Sequence, residues 1–334
     1  MTILDVLKHR MKQILLLALL GCSFTGHTQM TTGLTGKPDT SYSNYSAYIK
    51  ELKRHPQIRL VPDSPIVAVK EKRGVVYCTT GNRPLLLDAF YPKEKTRKKR
   101  PAILIIHGGG WRSGNRTQHY PLAQRLAALG YVCFTPEYRL STEALYPAAV
   151  HDLKAALRWV RANAKQYQVD TSRLVVMGFS AGGQLAALLG TTGNNPAFDG
   201  DSCNTKYTTN VRAVVDLDGT LSFVHPESGE GDDTKNISAA TYWFGYNKKE
   251  QPALWKDASP LTHAGSNTPP FLFINSGVDR MHAGRDDFRK ILDQYGIYSE
   301  VHTFSDAPHS FPLLQPWFDP MVMYIDNFLK KVMQ

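Results

Sequence analysis

The chain has 334 residues, of which 42% are hydrophobic, 10% aromatic and 20% charged. This composition can bury a sizeable core and excludes an intrinsically disordered protein. The formal net charge of +10 is compatible with an anionic partner. However, the basic run KEKTRKKR at 93–100 is typical of a solvated loop rather than of a binding surface.

The N-terminal segment has the layout of a secretory signal. In MKQILLLALLGCSFTGHTQ, which starts at Met11, a lysine precedes a short apolar stretch and then small and polar residues. We interpret residues 1–29 as a signal peptide and expect a secreted or periplasmic protein, for which a nucleic-acid partner is not expected. The apolar stretch is shorter than the roughly 20 residues that span a bilayer. Cleavage before Cys22 is the alternative, and it would produce an outer-membrane lipoprotein whose lipid anchor is its only membrane contact.

Residues 30–65 are polar and are interpreted as an N-terminal arm, and a single domain is predicted over 66–334. Two antiparallel strands are predicted first, with a turn at Gly81 and Asn82 between them. After them, unbroken apolar runs, which indicate buried parallel strands, alternate with helical patterns. The strand segments are 68–80, 84–92, 101–110, 131–138, 172–180, 211–219, 269–277 and 299–307. The helix segments are 120–130, 146–167, 181–190, 286–296 and 320–333.

Strands that alternate with helices predict an α/β protein with a mostly parallel central sheet and helices on both faces. Residues 191–209 and 222–266 fit neither pattern and are expected to form excursions above the sheet. The odd number of cysteines after the signal, namely Cys78, Cys133 and Cys203, excludes a complete disulfide framework. Cys133 lies in an apolar strand pattern and is expected to be a buried small hydrophobe. No Cys/His cluster has zinc spacing, so we expect neither a metal nor a cofactor.

Two glycine-rich motifs follow predicted strands. GFSAGG at 178–183 fits Gly-x-Ser-x-Gly, whose glycines permit a sharp turn that exposes a serine hydroxyl above a helix N-terminus. A glycine-rich turn with a buried serine is the alternative, but it does not explain the glycines on both sides of Ser180. HGGGW at 107–111 ends an earlier strand, and its backbone N–H groups can converge on a tetrahedral oxyanion.

These motifs and the order of the elements resemble the α/β-hydrolase family, in particular the serine esterases with an HGGG motif, over about residues 66–334. The resemblance implies a triad of Ser180, Asp279 and His309, because Asp279 follows the next-to-last strand and His309 follows the last. It also implies an oxyanion hole formed by the N–H groups of Gly109, Gly110 and Ala181.

The identity of the triad acid stays open. Some α/β-hydrolases carry it one strand earlier, which makes Asp218 a rival, and Asp286 and Asp287 are weaker rivals. Asp218 belongs to VVDLDGT, which also resembles the opening signature of haloacid dehalogenase-like phosphatases with Asp216 as the nucleophile. That interpretation requires the strand to begin its domain, whereas five predicted strands precede it. We therefore expect Asp216 and Asp218 to be rim or structural acids.

The resemblance implies ester hydrolysis through an acyl-serine, in which His309 removes the proton of Ser180 and the acid orients the imidazole. Segments 217–230, 276–287 and 308–320 resemble bacterial esterases of plant polysaccharides. The expected substrate is therefore a polysaccharide or oligosaccharide ester, first of all an acetyl ester of pectin or hemicellulose. Feruloyl, methyl and small-lipid esters are the alternative, and a non-catalytic binding protein on the same scaffold is a further one.

Several residues are candidates for substrate binding. Trp111, with three other tryptophans, could form a sugar-stacking platform, although packing inside loops is the alternative. His282 could line the site. Arg280 and Arg285 could meet the carboxylates of a polyuronate, although Arg285 could instead pair with Asp286 or Asp287. The other tryptophans are Trp243, Trp255 and Trp317. His107 is expected to brace the oxyanion loop, and His151 to be structural.

Overall fold

The computed structural model describes residues 29–193 and 195–334. The predicted signal peptide, apart from its last residue, lies outside the described residues, as does Cys22. The strands are β1 (Arg59–Leu60), β2 (Val69–Thr80), β3 (Arg83–Pro92), β4 (Arg100–Ile106), β5 (Val132–Pro136), β6 (Val169–Phe179), β7 (Ala213–Leu217), β8 (Phe271–Ser276), β9 (Ser299–Phe304) and β10 (Leu314–Gln315). The α-helices are α1 (Asn44–Leu52), α2 (Tyr120–Ala128), α3 (Ala148–Ala162), α4 (Ala164–Tyr167), α5 (Ala181–Thr191), α6 (Ala239–Phe244), α7 (Pro252–Asp257), α8 (Arg285–Gln294) and α9 (Phe318–Val332).

Eight strands form one central sheet in the order β2-β3-β5-β4-β6-β7-β8-β9. The pairs β2–β3 and β3–β5 are antiparallel, and all later neighbours are parallel. The predicted mostly parallel sheet is therefore confirmed. Because the parallel strands end at one edge, the loops that follow β4, β6, β7, β8 and β9 meet there.

The sheet separates two hydrophobic clusters. Successive strand side chains point to opposite faces, so Leu104 of β4 joins one cluster while Ile103 and Ile105 join the other. Helices α3, α5 and α8 cover the first face, and α2 and α9 cover the second. Each fully buried Leu or Ile stabilises the fold by about 1.5–3 kcal/mol relative to an exposed one.

The N-terminal arm has more structure than its polar composition indicated. Helix α1 begins at a capping box in which the Ser43 hydroxyl accepts a hydrogen bond from the Ser46 N–H over 3.0 Å. Strand β1 then pairs antiparallel with β10, and Ile58 just before it is buried. The arm is thus anchored to the domain by a ladder and by apolar packing.

The expectation that 222–266 contains no helix is wrong. This segment holds α6 and α7, and its side chains Trp243, Phe244 and Trp255 are fully buried in the first cluster. Both helices have only six residues. Such helices are too short to show a helical period in the sequence, and tertiary packing stabilises them.

Two of the three cysteines pair. Cys78 at the end of β2 and Cys203 form a disulfide across a sequence separation of 125 residues, with their Cα atoms 5.7 Å apart. Cys133 is the free thiol of the described residues; it is buried in β5, and burial raises its pKa. It therefore acts as the small hydrophobe that its strand pattern predicted.

Candidate active site

Ser180 occupies a sharp turn between β6 and α5. Its backbone has φ +58° and ψ −122°, a conformation that side-chain-bearing residues rarely adopt. Glycines make the turn possible, because a Cβ at Gly178 would lie 2.0 Å from the Gly182 carbonyl oxygen, and one at Gly182 would lie 2.3 Å from the Ile106 oxygen. The Ser180 N–H donates to the Leu217 carbonyl over 2.8 Å and ties the turn to β7.

Three side chains form a hydrogen-bonded line at this turn. The His309 Nε2 atom lies 2.8 Å from the Ser180 Oγ atom, and the His309 Nδ1 atom lies 2.8 Å from the Asp218 Oδ2 atom. Asp218 is fully buried, and its other oxygen accepts the Ser276 N–H over 2.9 Å. A carboxylate only accepts when ionised, so His309 Nδ1 donates to it and Nε2 is left to accept the serine proton.

The expectation that Asp279 is the acid beside His309 is wrong. The Asp279 side chain is 98% exposed in a 3₁₀ turn, and it lies 3.8 Å from His282 Nε2 instead. The register explains the difference, because Leu217 pairs with Ile274, so Asp218 comes directly at the sheet edge while Asp279 lies several residues beyond it. The position next to Asp218 belongs to Ser276, a hydrogen-bond donor.

The other candidate acids do not reach His309. Asp286 pairs with Arg285, and Asp287 pairs with Lys290. Asp216 is fully buried in β7, where it accepts the Gly219 N–H over 2.7 Å. Burial raises the pKa of Asp216 well above its usual value, and the nearby Asp218 carboxylate raises it further. An acid buried within β7, after five earlier strands of the same sheet, does not fit a phosphatase nucleophile.

The loop after β4 lies against the serine turn. Gly109 has φ +123° and Gly110 has φ +61°, and a Cβ at Gly109 would lie 2.2 Å from the Ser113 carbonyl oxygen. Neither N–H donates to another group within the described part of the chain. Ala181 is the first residue of α5, where the helix dipole favours negative charge. Gly109, Gly110 and Ala181 all line compartments that Ser180 also lines, and their role as oxyanion donors stays a prediction.

His107 braces this loop as predicted. Its Nδ1 donates to the Gly108 carbonyl over 2.9 Å, and its ring stacks on Tyr138 at 4.3 Å. Gln118 Oε1 accepts the Gly108 N–H over 2.7 Å. Burial lowers the pKa of His107 to about 4, so the imidazole is neutral and serves as a support.

Two compartments meet at Ser180. One is an open cleft of about 800 Å³ that is bordered by Gly109, His309 and residues of the N-terminal arm. The other is a chamber of about 50 Å³ bordered by Ala181, Asp218 and Met281. The two compartments share Gly110, Ser180 and Arg280.

The BD-FAE family model matches residues 87–283, which include Ser180 and Asp218. The chain belongs to the BD-FAE family. His309 and the N-terminal arm lie outside the matched range.

Curated relatives agree with this assignment. Esterase LipC of Mycobacterium tuberculosis is 33% identical over 213 residues, which are 62% of this chain and 51% of that protein. The probable carboxylic ester hydrolase LipM of the same organism is 31% identical over 224 residues, which are 64% of this chain and 50% of that protein. The chain thus spans about half the length of the curated relatives it matches.

Solved structures share the fold. A truncated carbohydrate esterase from gut microbiota has a TM-score of 0.66 and 22% identity, over 80% of this chain and 98% of that one. The propionate-bound esterase Est2 of Thermogutta terrifontis has a TM-score of 0.63 and 24% identity, over 80% of this chain and 95% of that one. The fold is that of the α/β-hydrolases, as the order of the elements predicted.

The predicted sugar-stacking platform is wrong for this BD-FAE protein. All four tryptophans are buried, because their large apolar rings pack into the two clusters. Trp111 borders the small chamber, but its Nε1 donates to Gln184 over 2.9 Å and its ring stacks on Trp243 at 5.0 Å. Trp111 is therefore a rigid support beneath the site.

The arginine after β8 that borders the site is Arg280 and not Arg285. Arg285 donates to Asn275 Oδ1 over 2.8 Å and to Asp286 Oδ1 over 2.9 Å, and it borders neither compartment. His282 also borders neither, and burial lowers its pKa. Arg280, the second arginine considered from the sequence, borders both compartments. His282 and Arg285 are thus wrong as cleft residues.

Other residues of the site were not predicted. Tyr42, Lys50 and Arg54 of the arm line the cleft, and Glu230 lines the chamber. The basic end of α1 is visible in the sequence, but only the folded chain brings it to Ser180. Between residues 29 and 334, Asn194 aside, no group of three or more His, Cys, Asp or Glu side chains could hold a metal ion. No helix in the same range is long and apolar enough to cross a membrane.

Proposed function

We propose that the protein is an exported serine esterase that removes acetyl groups from plant polysaccharides or their oligosaccharides, such as pectin or hemicellulose. The observation that carries the proposal is the line Ser180–His309–Asp218 at the junction of a large cleft and a small chamber. The names of the relatives LipC and LipM support ester hydrolysis. The carbohydrate esterase among the similar folds supports a glycan substrate.

The reaction proceeds in two steps. His309 Nε2 takes the proton of Ser180 as its oxygen attacks the ester carbonyl, and Asp218 stabilises the imidazolium. The carbonyl oxygen becomes an oxyanion, which accepts hydrogen bonds from the N–H groups of Gly109, Gly110 and Ala181. The C–O bond to the alcohol then breaks, and His309 returns the proton to the leaving alkoxide. Water, deprotonated by the same imidazole, cleaves the acyl-serine and releases the acid.

The position of His309 orients the substrate. The leaving alcohol receives its proton from His309, which borders the cleft and not the chamber. The glycan therefore occupies the cleft of about 800 Å³, and the acyl group points toward the chamber of about 50 Å³. The chamber is far smaller than the cleft, so it suits a short acyl group such as acetyl better than the aromatic ring of a feruloyl group.

Export is supported by two features of the chain. Disulfides persist in oxidising compartments, and the pairing of Cys78 with Cys203 suits a secreted or periplasmic protein. The signal predicted for residues 1–29 suits the same destination. Attachment to a membrane through a lipid anchor at Cys22 is the alternative form of the exported protein.

A series of acyl lengths on one alcohol tests the proposal. We expect kcat/KM to fall at least about tenfold, or about 1.4 kcal/mol, from 4-nitrophenyl acetate to the hexanoate, and methyl ferulate to be a poor substrate. Acetylated pectin and xylan should release acetate. Met281→Ala, which enlarges the chamber, should recover activity on the hexanoate. Met323→Ala, at an exposed position of α9, is the matched control.

Equal rates on acetate and hexanoate would contradict the size limit of the chamber. An absence of turnover on every ester, together with unimpaired glycan binding, would favour a binding protein on this scaffold.

A further inference from the structure

The N-terminal arm forms a fixed wall of the open cleft. Tyr42, Lys50 and Arg54 border the cleft together with Ser180 and His309. The arm is held in place at both ends of α1. At the start, Asn44 Nδ2 donates to the Gln118 carbonyl over 2.9 Å. After the end, the His55 ring packs edge-on against Trp317 at 5.8 Å, and β1 pairs with β10.

This cleft contains three cations that form no ion pair within the described part of the chain. Lys50, Arg54 and Arg280 are exposed, and none of them makes an ion pair within 4.0 Å or a side-chain hydrogen bond with the residues described. Two carboxylates, Glu51 and Asp306, also border the cleft, and Asp306 already accepts the Trp317 Nε1–H over 3.2 Å. The cations therefore outnumber the carboxylates and are available to a ligand.

Arg280 links the cation group to the reacting centre. It borders the chamber as well as the cleft, and its Cδ atom lies 3.3 Å from the position of a Cβ built on Gly229. Glu230 is the nearby acid in the chamber, and burial raises its pKa, while the Arg280 and Lys248 charges act in the opposite direction. The Glu230 and Arg280 side chains form no ion pair within 4.0 Å among the described residues, so the guanidinium of Arg280 remains open to a ligand in the cleft.

We propose that Lys50, Arg54 and Arg280 recognise a carboxylate of the glycan, so that the preferred substrate is an acetyl ester on an acidic, uronate-containing sugar chain. The inference rests on the proposed function and specifies its substrate class. Guanidinium groups bind carboxylates through two parallel hydrogen bonds, and lysine adds a point charge. All three cations line the cleft proposed to receive the glycan, which His309 also lines.

Charge-neutral variants test the inference through a ratio of rates. The measured quantity is kcat/KM on acetylated oligogalacturonide divided by kcat/KM on acetylated xylo-oligosaccharide, which is neutral. Lys50→Gln, Arg54→Gln and Arg280→Gln should each lower this ratio about two- to fivefold, mainly through KM on the acidic ester, as expected for exposed ion pairs. Lys53→Gln removes an equal charge from the neighbouring position that does not border the cleft, and it should leave both rates unchanged.

Salt should lower the wild-type ratio, because exposed pairs are screened over about 10 Å at 0.1 M. A ratio that is the same in the wild type, the three cleft variants and Lys53→Gln would overturn the inference. Such a result, obtained with an enzyme that hydrolyses acetyl esters, would leave the proposed function intact.

A binding measurement keeps the inference testable without turnover. Ser180→Ala should bind trigalacturonate more tightly than xylotriose in calorimetry, and Arg54→Gln in the same background should reduce that preference. Equal affinity for the two trisaccharides would overturn the inference, whatever the activity of the wild type.

Discussion

Asp218 occupies the acid position because of its place in the sheet. It follows the last residue of β7 at φ +55°, fully buried, with the Ser276 N–H and the His309 imidazole as its partners. Ser180 and His309 could be predicted from the sequence, since each belongs to a local motif at a strand end. The acid could not, because adjacent parallel strands both carry an aspartate near the same edge. Only the register between β7 and β8 distinguishes the two.

Replacing each candidate acid with asparagine tests whether Asp218 or Asp279 is the acid that orients His309. Asp218→Asn should lower kcat about four decades, because an amide no longer fixes the tautomer of His309. Asp279→Asn changes a side chain that is 98% exposed and should leave kcat within about twofold. Rates on a small acetyl ester, with circular dichroism to confirm folding, provide the measurement. A larger loss in Asp279→Asn would return the acid to the loop after β8.

At the scale of elements, strands and helices with a clear local sequence pattern could be predicted, and those that depend on distant contacts could not. The inner parallel strands were anticipated from their apolar runs, because burial on both faces leaves an uninterrupted signal. Strands β2 and β3 were predicted as an antiparallel pair around a turn, and β9 has no buried residue. Helices α6 and α7 and the β1–β10 ladder are stabilised by contacts with distant segments. Local patterns contain no trace of such contacts. The same reason explains why the arm was not expected at the cleft.

Two buried histidines in the connection between β4 and α2 should make the stability of the fold depend on pH. His107 and His119 are buried there, and burial lowers their pKa values to about 4 and about 3. The unfolded chain binds these protons below its ordinary pKa of about 6.5. The folded chain does not, so the free energy of unfolding should decrease as the pH falls from 6.5 toward 4. The slope is at most about 1.4 kcal/mol per pH unit for each histidine.

Urea unfolding between pH 7.5 and 5 measures this slope. His119 packs edge-on against Phe179 at 5.9 Å, and its ring nitrogens have no hydrogen-bond partner among the described residues. His119→Phe should therefore fold and show a shallower decrease. An unchanged slope in this variant would exclude His119 as a source of the acid sensitivity.

One disulfide crosslinks the part of the chain that the structure describes. The disulfide joins the end of β2, at one edge of the sheet, to the excursion that follows α5. The disulfide joins two residues that lie 125 positions apart in the sequence. A crosslink that closes such a long loop restricts the unfolded chain more than one that closes a short loop. Cys78 and Cys203 border neither compartment, so the crosslink acts on stability and not on the chemistry.

Removal of the crosslink should destabilise the protein without inactivating it. In Cys78→Ser/Cys203→Ser the free energy of unfolding should fall by about 2–5 kcal/mol. The rate on a small acetyl ester at 25 °C should stay near that of the wild type. Dithiothreitol should lower the denaturant concentration at which half of the wild-type protein is unfolded. It should leave this midpoint unchanged in the double variant. A reductant effect of equal size on both proteins would show that the bond does not contribute.

Because the acid that contacts His309 follows β7, most of the loop after β8 is free to vary in sequence. The loop after β8, from Gly277 to Ala283, contributes no side chain to the Ser180–His309–Asp218 line, although Arg280 in it borders the open cleft. Substitutions at the more exposed positions 278–282 can therefore alter substrate preference while the catalytic line stays intact. Gly277 is constrained, because a Cβ there would lie 2.2 Å from the Ser305 carbonyl oxygen. Directed evolution has the same opportunity: a library randomised at 278–282 should retain many active clones, whereas one randomised at 217–220 should retain few.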